Sequence, residues 1–251
     1  MTKNRKPLTP HDRLKRMYVM MFVLTLVFGV CNIIYMVCQP DATVHSVSFC
    51  ALQYVAMLLI LVAPIVLRRY FMLRVPLALT VAIAVFAFVA MVFGDGLNFY
   101  GKYPWWDSFL HLLSGGVLAV LGLWLLHIIL GDNGNAVMAN KYFLAFYLLI
   151  FGLALGTMWE IMEYTYDDLF GTNTQQFMLT TTSSLPGPDD IPASGHEALR
   201  DTMTDLILDL VGSLLVAIYV LFRHSKLIQP NEEGQKDKES LSDRATSRRE
   251  E

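Results

Sequence analysis

Four stretches of the chain, residues 17–37, 46–67, 75–94 and 142–159, contain no Asp, Glu, Lys or Arg. About 20 consecutive apolar residues are what a helix needs to cross the hydrocarbon core of a bilayer. Four such runs in 251 residues, with 55% hydrophobic and only 16% charged residues, exclude a soluble enzyme, a disordered chain and a DNA-binding module. The pattern predicts an all-α, polytopic membrane helix bundle of about six spans: 17–37, 47–67, 75–93, 108–130, 142–163 and 202–222. Spans four to six keep ionisable residues near one end, yet their apolar runs are too long for connecting loops. Pro64 and Pro76 are expected near helix ends, where proline is tolerated.

Orientation follows from the basic residues. With the N-terminus inside, the cytoplasmic segments carry six Lys/Arg in 1–16, three in 68–74, one in 131–141 and seven in 223–251. The opposite side carries only Lys102 and Arg200. Both termini are therefore expected in the cytoplasm. The reading divides the chain into a basic N-terminus (1–16), a transmembrane domain (17–222) with one long external loop (165–200), and a disordered cytoplasmic tail (223–251). The tail lacks the large apolar side chains that a fold must bury. The first apolar run, 21 residues, exceeds the roughly 7–15 of a signal-peptide core, so a retained helix is expected. Cys38 and Cys50 both fall near the outer surface, where a disulfide is geometrically allowed; small apolar helix residues are the plainer reading for them and Cys31.

The outer boundary is rich in aromatics: Tyr100, Tyr103, Trp105, Trp106, Trp159, Tyr164 and Tyr166. Most fit an interfacial belt. The long loop contains TNTQQ, TTTSS and PGPDDIP, and a loop of that length is usually functional or mobile.

Chemistry concentrates at three helix ends on this same side. Asp107, His111 and Ser114 recur at i, i+4 and i+7, which places them on one helical face. Glu160 and Glu163 end span five. Asp201, Asp205 and Asp209 enter span six on a common face, with Asp209 about 12 Å along the axis from Asp201. A charged side chain against lipid costs about 2.5–3.5 kcal/mol on insertion scales, so these groups should face a shared interior. Ionised carboxylates there repel, and two basic residues cannot neutralise them. A divalent metal ion (Mg²⁺, Mn²⁺ or Zn²⁺) held by Asp107, His111, Glu160, Glu163, Asp201, Asp205 and Asp209 is the economical expectation. Capping explains Asp107 and Asp201 about equally well, since both sit at helix N-termini. It does not explain Glu160 and Glu163, which lie at a C-terminus. His127 reads as an interfacial histidine, His196 and Glu197 as solvated loop, and Gly115 and Gly116 as packing.

The segments YPWWDSFLHLLSGG, WEIMEY and RDTMTDLILDLVGS, in that order, resemble the YjdF-like family of bacterial multi-pass membrane proteins. That family shows Asp-x-x-x-His-x-x-x-Gly, then Trp-Glu-x-x-Glu-Trp/Tyr, then Asp-x-x-x-Asp entering the last helix. The matching positions are Asp107, His111 and Gly115; Glu160 and Glu163; Asp201 and Asp205. The layout is more remotely similar to VanZ-like proteins, which are linked to the Gram-positive envelope. The resemblance covers about residues 75–222 and implies a multi-pass protein of the bacterial cell membrane. The chain departs from the pattern in lacking a Gly-Asp pair before the third motif, where His196-Glu197 stands, and in adding Asp209.

Three functions fit. The first is a metal-dependent hydrolase or transferase on lipid or envelope substrates, with Glu160 or Glu163 as base. The second is a non-catalytic envelope protein with a structural metal clamping three helices. The third is a cation- or proton-coupled transporter, disfavoured by the apolar inner half and the lack of an internal repeat. The bilayer is the expected partner; nucleic acid is not.

Overall fold

Thr9 and Thr43 start the first two helices by the same device. Each hydroxyl accepts from the backbone N–H three residues on, and the side chain there (Asp12 or Ser46) answers the threonine's own N–H. The helices that follow are α1, Pro10–Val37, and α2, Val44–Tyr70. The computed structural model describes residues 9–39, 43–131, 138 and 140–228. Pro64 lies inside α2 rather than near its end, because the helix runs on to Tyr70. Three residues before this proline, the Leu61 carbonyl accepts a hydrogen bond from the Tyr18 hydroxyl of α1, which ties the two helices together.

α3, Leu77–Phe88, follows Pro76 and widens into a π-helical stretch, Val89–Gly96, that carries Asp95. A short α4, Phe99–Lys102, leads into α5, Trp106–Leu130. α6, Lys141–Phe170, is capped by the Asn140 side chain, which accepts from the Tyr142 and Phe143 N–H groups. It stops at Gly171, whose φ of 64° is the left-handed turn that glycine adopts freely. A 3₁₀ turn, Glu197–Leu199, opens α7, Arg200–Ile228.

Among the described residues, six helices are long and apolar enough to cross a membrane: α1, α2, α3 with its π extension, α5, α6 and α7. The all-helical bundle of six spans is thus as the sequence predicts, but several borders move. α6 continues to Phe170, seven residues past the predicted end, so the connecting loop starts at 171 rather than 165. Hydropathy marks where apolar residues stop, whereas a helix with polar partners beyond the bilayer does not stop there. α7 likewise runs on to Ile228, past the predicted tail border at 223, and α1 starts at Pro10 inside the predicted N-terminal segment. The tail from 229, expected to be disordered, and residues 1–8 lie outside the described residues.

The bundle has two parts. α5, α6 and α7 pack mutually, α1, α2 and α3 form a second group, and α3 against α5 joins them. Ala119, Leu126, Leu144, Leu148 and Val220 fill the first part away from the acidic end; Met57, Leu61, Ala84 and Ala87 fill the second. Large side chains such as Val27, Leu59, Ile161 and Leu215 point outward, as lipid-facing residues should. Lipid supplies no hydrophobic force between helices, so close contact rests on small residues. At Gly115 the backbone of α7 lies directly against α5: a Cβ there would collide with the Asp209 carbonyl. Gly212 mirrors it against the Leu112 carbonyl. Gly116 has ordinary clearance, 3.7 Å to its nearest neighbour.

Candidate metal centre

The glycine contact at Gly115 draws α5 and α7 together at the level where Asp209 meets His111. Asp209 is fully buried, His111 is 6% exposed, Glu160 4% and Asp205 2%. His111 Nδ1 lies 3.2 Å from Asp209 Oδ2. The other Asp209 oxygen accepts from the Ser114 hydroxyl at 2.5 Å. The opposite edge of the ring, Nε2, faces Glu160 Oε1 at 3.7 Å and Asp107 Oδ1 at 3.9 Å. These separations are too long for hydrogen bonds. They are close to the spacing of two ligand atoms each about 2.0–2.2 Å from one ion.

Two sets of ligand atoms lie within 4.8 Å of one another: Asp107, His111 and Asp205, and His111, Glu160 and Glu163. Each set contains one buried carboxylate oxygen with no hydrogen-bond partner, Asp205 Oδ1 in the first and Glu160 Oε1 in the second. An unsatisfied buried charge-bearing atom is expensive, so these two oxygens call for a cation or a proton. Among the described residues no Lys or Arg answers them, and the His111 ring stands 3.7 Å from Glu160 Oε1. Lys102 donates to the Leu97 carbonyl and Arg200 pairs with Glu197 at 3.1 Å.

Five of the seven residues expected from the sequence therefore converge: Asp107, His111, Glu160, Glu163 and Asp205. Asp201 opens α7 half-buried, and neither it nor Asp209 belongs to the two ligand sets. Asp209 instead spends both oxygens on His111 and Ser114. His127, His196 and Glu197 are exposed, in keeping with their plain readings.

The loop over this end is an ordered cover. Asp167, buried at the end of α6, accepts from the Thr172 and Thr174 hydroxyls and from the Thr174 and Gln175 N–H groups, at 2.6–2.9 Å. Asn173, fully buried, ties Met178, Thr181 and Ser183 together. The loop then reaches the helices. Gln176 donates to Asp107 Oδ2 at 2.7 Å, Gln175 to the Thr202 hydroxyl at 2.9 Å, and Ser184 to Asp95 at 2.8 Å. Gln53 of α2 holds the other Asp95 oxygen at 2.8 Å. Asp190, outside the spans, is held below the usual carboxylate range by the Thr180 hydroxyl and the Gly187 N–H. Asp167→Ala removes the acceptor for four donors at once. Limited proteolysis of the folded protein should then cut between 171 and 196 at least tenfold faster, a change of about 1.4 kcal/mol in local opening. An unchanged cleavage rate would show that Asp167 does not hold the cover.

Sequence reasoning missed Gln175, Gln176, Asn173, Asp95 and the roles of Ser114 and Asp167. The one available signal was compositional, amides and hydroxyls concentrated in the loop. The aromatic belt also needs correction. Trp105, Trp159 and Tyr164 are exposed as a belt requires, but Trp106 is buried among Phe93, Phe99, Trp105 and Phe109. Tyr100 is half-buried. Burial first, then the fields of Asp107, Asp95, Glu163 and Asp205, hold its phenol well above its ordinary range. It therefore stays a neutral hydroxyl at the edge of the acidic cavity. Cys31, Cys38 and Cys50 are unbridged.

Residues 17–226 match the model of a family described as "Predicted membrane protein (DUF2238)". A Thermotoga maritima protein, described only as uncharacterized, is 30% identical over 132 residues, 52% of this chain. The chain spans 55% of that relative's length. No solved structure matches. The chain belongs to the DUF2238 family of membrane proteins, in line with the multi-pass bacterial family that its motifs resemble.

Proposed function

We propose that His111, Asp107, Glu160, Glu163 and Asp205 hold a divalent cation at the outer face of a bacterial cell membrane, and that the protein is a metal-dependent hydrolase or transferase acting on lipid or envelope substrates. The observation that carries this is the pair of partnerless buried oxygens, Glu160 Oε1 and Asp205 Oδ1, in a cavity whose one imidazole edge faces them. An imidazole with carboxylates suits Mn²⁺, Mg²⁺ or Zn²⁺. Such an ion supplies Lewis acidity and a more acidic bound water. Glu163 is half-buried whereas Glu160 is buried, so Glu163 is the more accessible of the two as a base. Metal analysis of the purified protein tests the site: wild type should carry one ion per chain, and His111→Ala combined with Glu163→Gln none.

A structural ion is the second reading, and a specific observation favours it. The two ligand sets share His111 of α5, one reaching α7 and the other α6, so an ion held there ties α5 to a neighbouring helix. A transporter fits less well, because the other half of this helix trio is closed by Ala119, Leu126, Leu144, Leu148 and Val220.

The outward orientation rests on seventeen of the nineteen basic residues lying at the other end of the spans. Ser194 is exposed in the cover loop and Tyr70 is exposed at the opposite end of α2. In a background with the native cysteines replaced, Ser194→Cys should react with a membrane-impermeant thiol reagent on intact cells and Tyr70→Cys should not. The reverse labelling would invert the topology and move the site to the cytoplasm.

A further inference from the structure

Asp209 stands apart from the other acids in the site. Both its oxygens already have protein partners, the His111 ring and the Ser114 hydroxyl. Its surroundings leave it no freedom. A Cβ at Gly156 of α6 would collide with its carboxylate, and one at Gly115 of α5 with its backbone. One turn further along α7, the Ser213 hydroxyl donates to the Asp209 carbonyl at 2.8 Å and lies 3.1 Å from the Gly115 carbonyl. The side chain is thus gripped by α5, α6 and its own helix.

An ionised carboxylate can only accept, so an ionised Asp209 at 3.2 Å pairs with a proton on Nδ1. A histidine whose Nδ1–H is given to a carboxylate presents the lone pair of Nε2 on the other edge. That is the usual arrangement behind a metal-bound imidazole, and such a partner orients the ring and raises its basicity. In this protein the other edge faces Asp107 and Glu160.

We infer that Asp209 is a positioning residue rather than a ligand: it fixes His111 as the Nδ1–H tautomer, with Ser114 and the glycines of α5 and α6 holding the carboxylate in place, so that Nε2 is the atom offered to a cation. The inference rests on the cation reading for its purpose, but not for its test. Sequence spacing puts Asp209 on the face of Asp201 and Asp205 and so cannot separate an orienting acid from a ligand. The difference lies in which atoms its oxygens meet.

The experiment has two arms. In the first, detergent-solubilised protein labelled with ¹⁵N-histidine is studied without metal, His111 being assigned by its loss in His111→Gln. At a pH where the ring is neutral, wild type should show a proton on Nδ1 and none on Nε2, and in Asp209→Asn the Nε2–H form should gain. In the second, Zn²⁺ and Mn²⁺ are titrated into wild type, Asp209→Asn and Ser114→Ala. Asp209→Asn should bind 10–100-fold more weakly, the usual effect of removing an orienting partner, while still reaching the wild-type stoichiometry. Ser114→Ala, which keeps the Asp209 carboxylate but removes the hydroxyl that holds its other oxygen, should weaken binding severalfold and stands in if Asp209→Asn does not fold. A bare Nδ1 in wild type, or a tautomer unmoved by Asp209→Asn, would overturn the inference. So would weakened binding with no tautomer change, which is the behaviour of a ligand. If wild type binds neither ion, the cation reading fails, and the metal-free tautomer alone decides the role of Asp209.

Discussion

Gly115→Leu should yield no folded protein, and Gly115→Ala should lower the unfolding temperature sharply while Gly116→Ala leaves it nearly unchanged. The two positions are adjacent on α5, equally small and equally apolar. Only the distance to α7 separates them. A Cβ on Gly115 meets the carbonyl, carbonyl carbon and Cα of Asp209, and none of these is a flexible side-chain tip that can swing away. A Cβ on Gly116 finds Gly212 and Val216 at 3.7 Å, ordinary contact. Overpacking a well-filled interior costs about 1–3 kcal/mol and more when backbone must move. Pushing α7 away also withdraws Asp209 from His111, so structure and site should fail together. The measurement is thermal unfolding in detergent followed by size-exclusion chromatography. Equal unfolding temperatures for Gly115→Ala and Gly116→Ala would remove the close contact from the account of how this bundle holds.

Much of the fold was legible because membrane spans obey a coarse rule: apolar length is a bilayer requirement, and it shows in composition without knowledge of packing. Convergence of Asp107, His111, Glu160, Glu163 and Asp205 was legible for a related reason. Acids entering a membrane must share a cavity, and the topology left three helix ends at one level. Three things were not legible. The end of α6 was placed early, because hydropathy ends at Glu163 while the helix is sustained by polar contacts that Asp167 makes in the loop. Gln175 and Gln176 gave no sign of reaching Thr202 and Asp107, since an amide's partner is set by tertiary geometry. Whether Asp209 ligates or orients was not legible either, because spacing reports a helical face, not the direction in which each oxygen is spent. Tyr100 and Trp106 were assigned to the lipid boundary for the same reason: an aromatic near a helix end serves a belt or a core equally well in sequence.

Chelation should destabilise the protein, and a divalent ion should restore it. Without a cation the site holds Glu160 Oε1 and Asp205 Oδ1 buried with no partner, beside Asp107 and Glu163, and only His111 to balance them. An ion that binds the folded state alone stabilises by RT ln(1 + [L]/Kd), about 2.7 kcal/mol at a hundred times Kd. For a chain of this size that is a rise of several degrees in unfolding temperature. EDTA should therefore lower the unfolding temperature in detergent, and Mn²⁺, Mg²⁺ or Zn²⁺ should recover it. Glu163→Gln and Asp205→Asn should abolish the recovery, whereas Asp168→Asn, at an exposed position outside the two ligand sets, should keep it. Protons compete with the ion for the carboxylates and the imidazole, so the ion's contribution should shrink as pH falls and return as it rises. Substrate chemistry does not enter this measurement, which makes it a test of the site before any assay of activity. If the unfolding temperature ignores chelator, ion and the two substitutions alike, the buried oxygens carry protons instead. The reason for placing a metal-dependent reaction at this membrane face then goes with them.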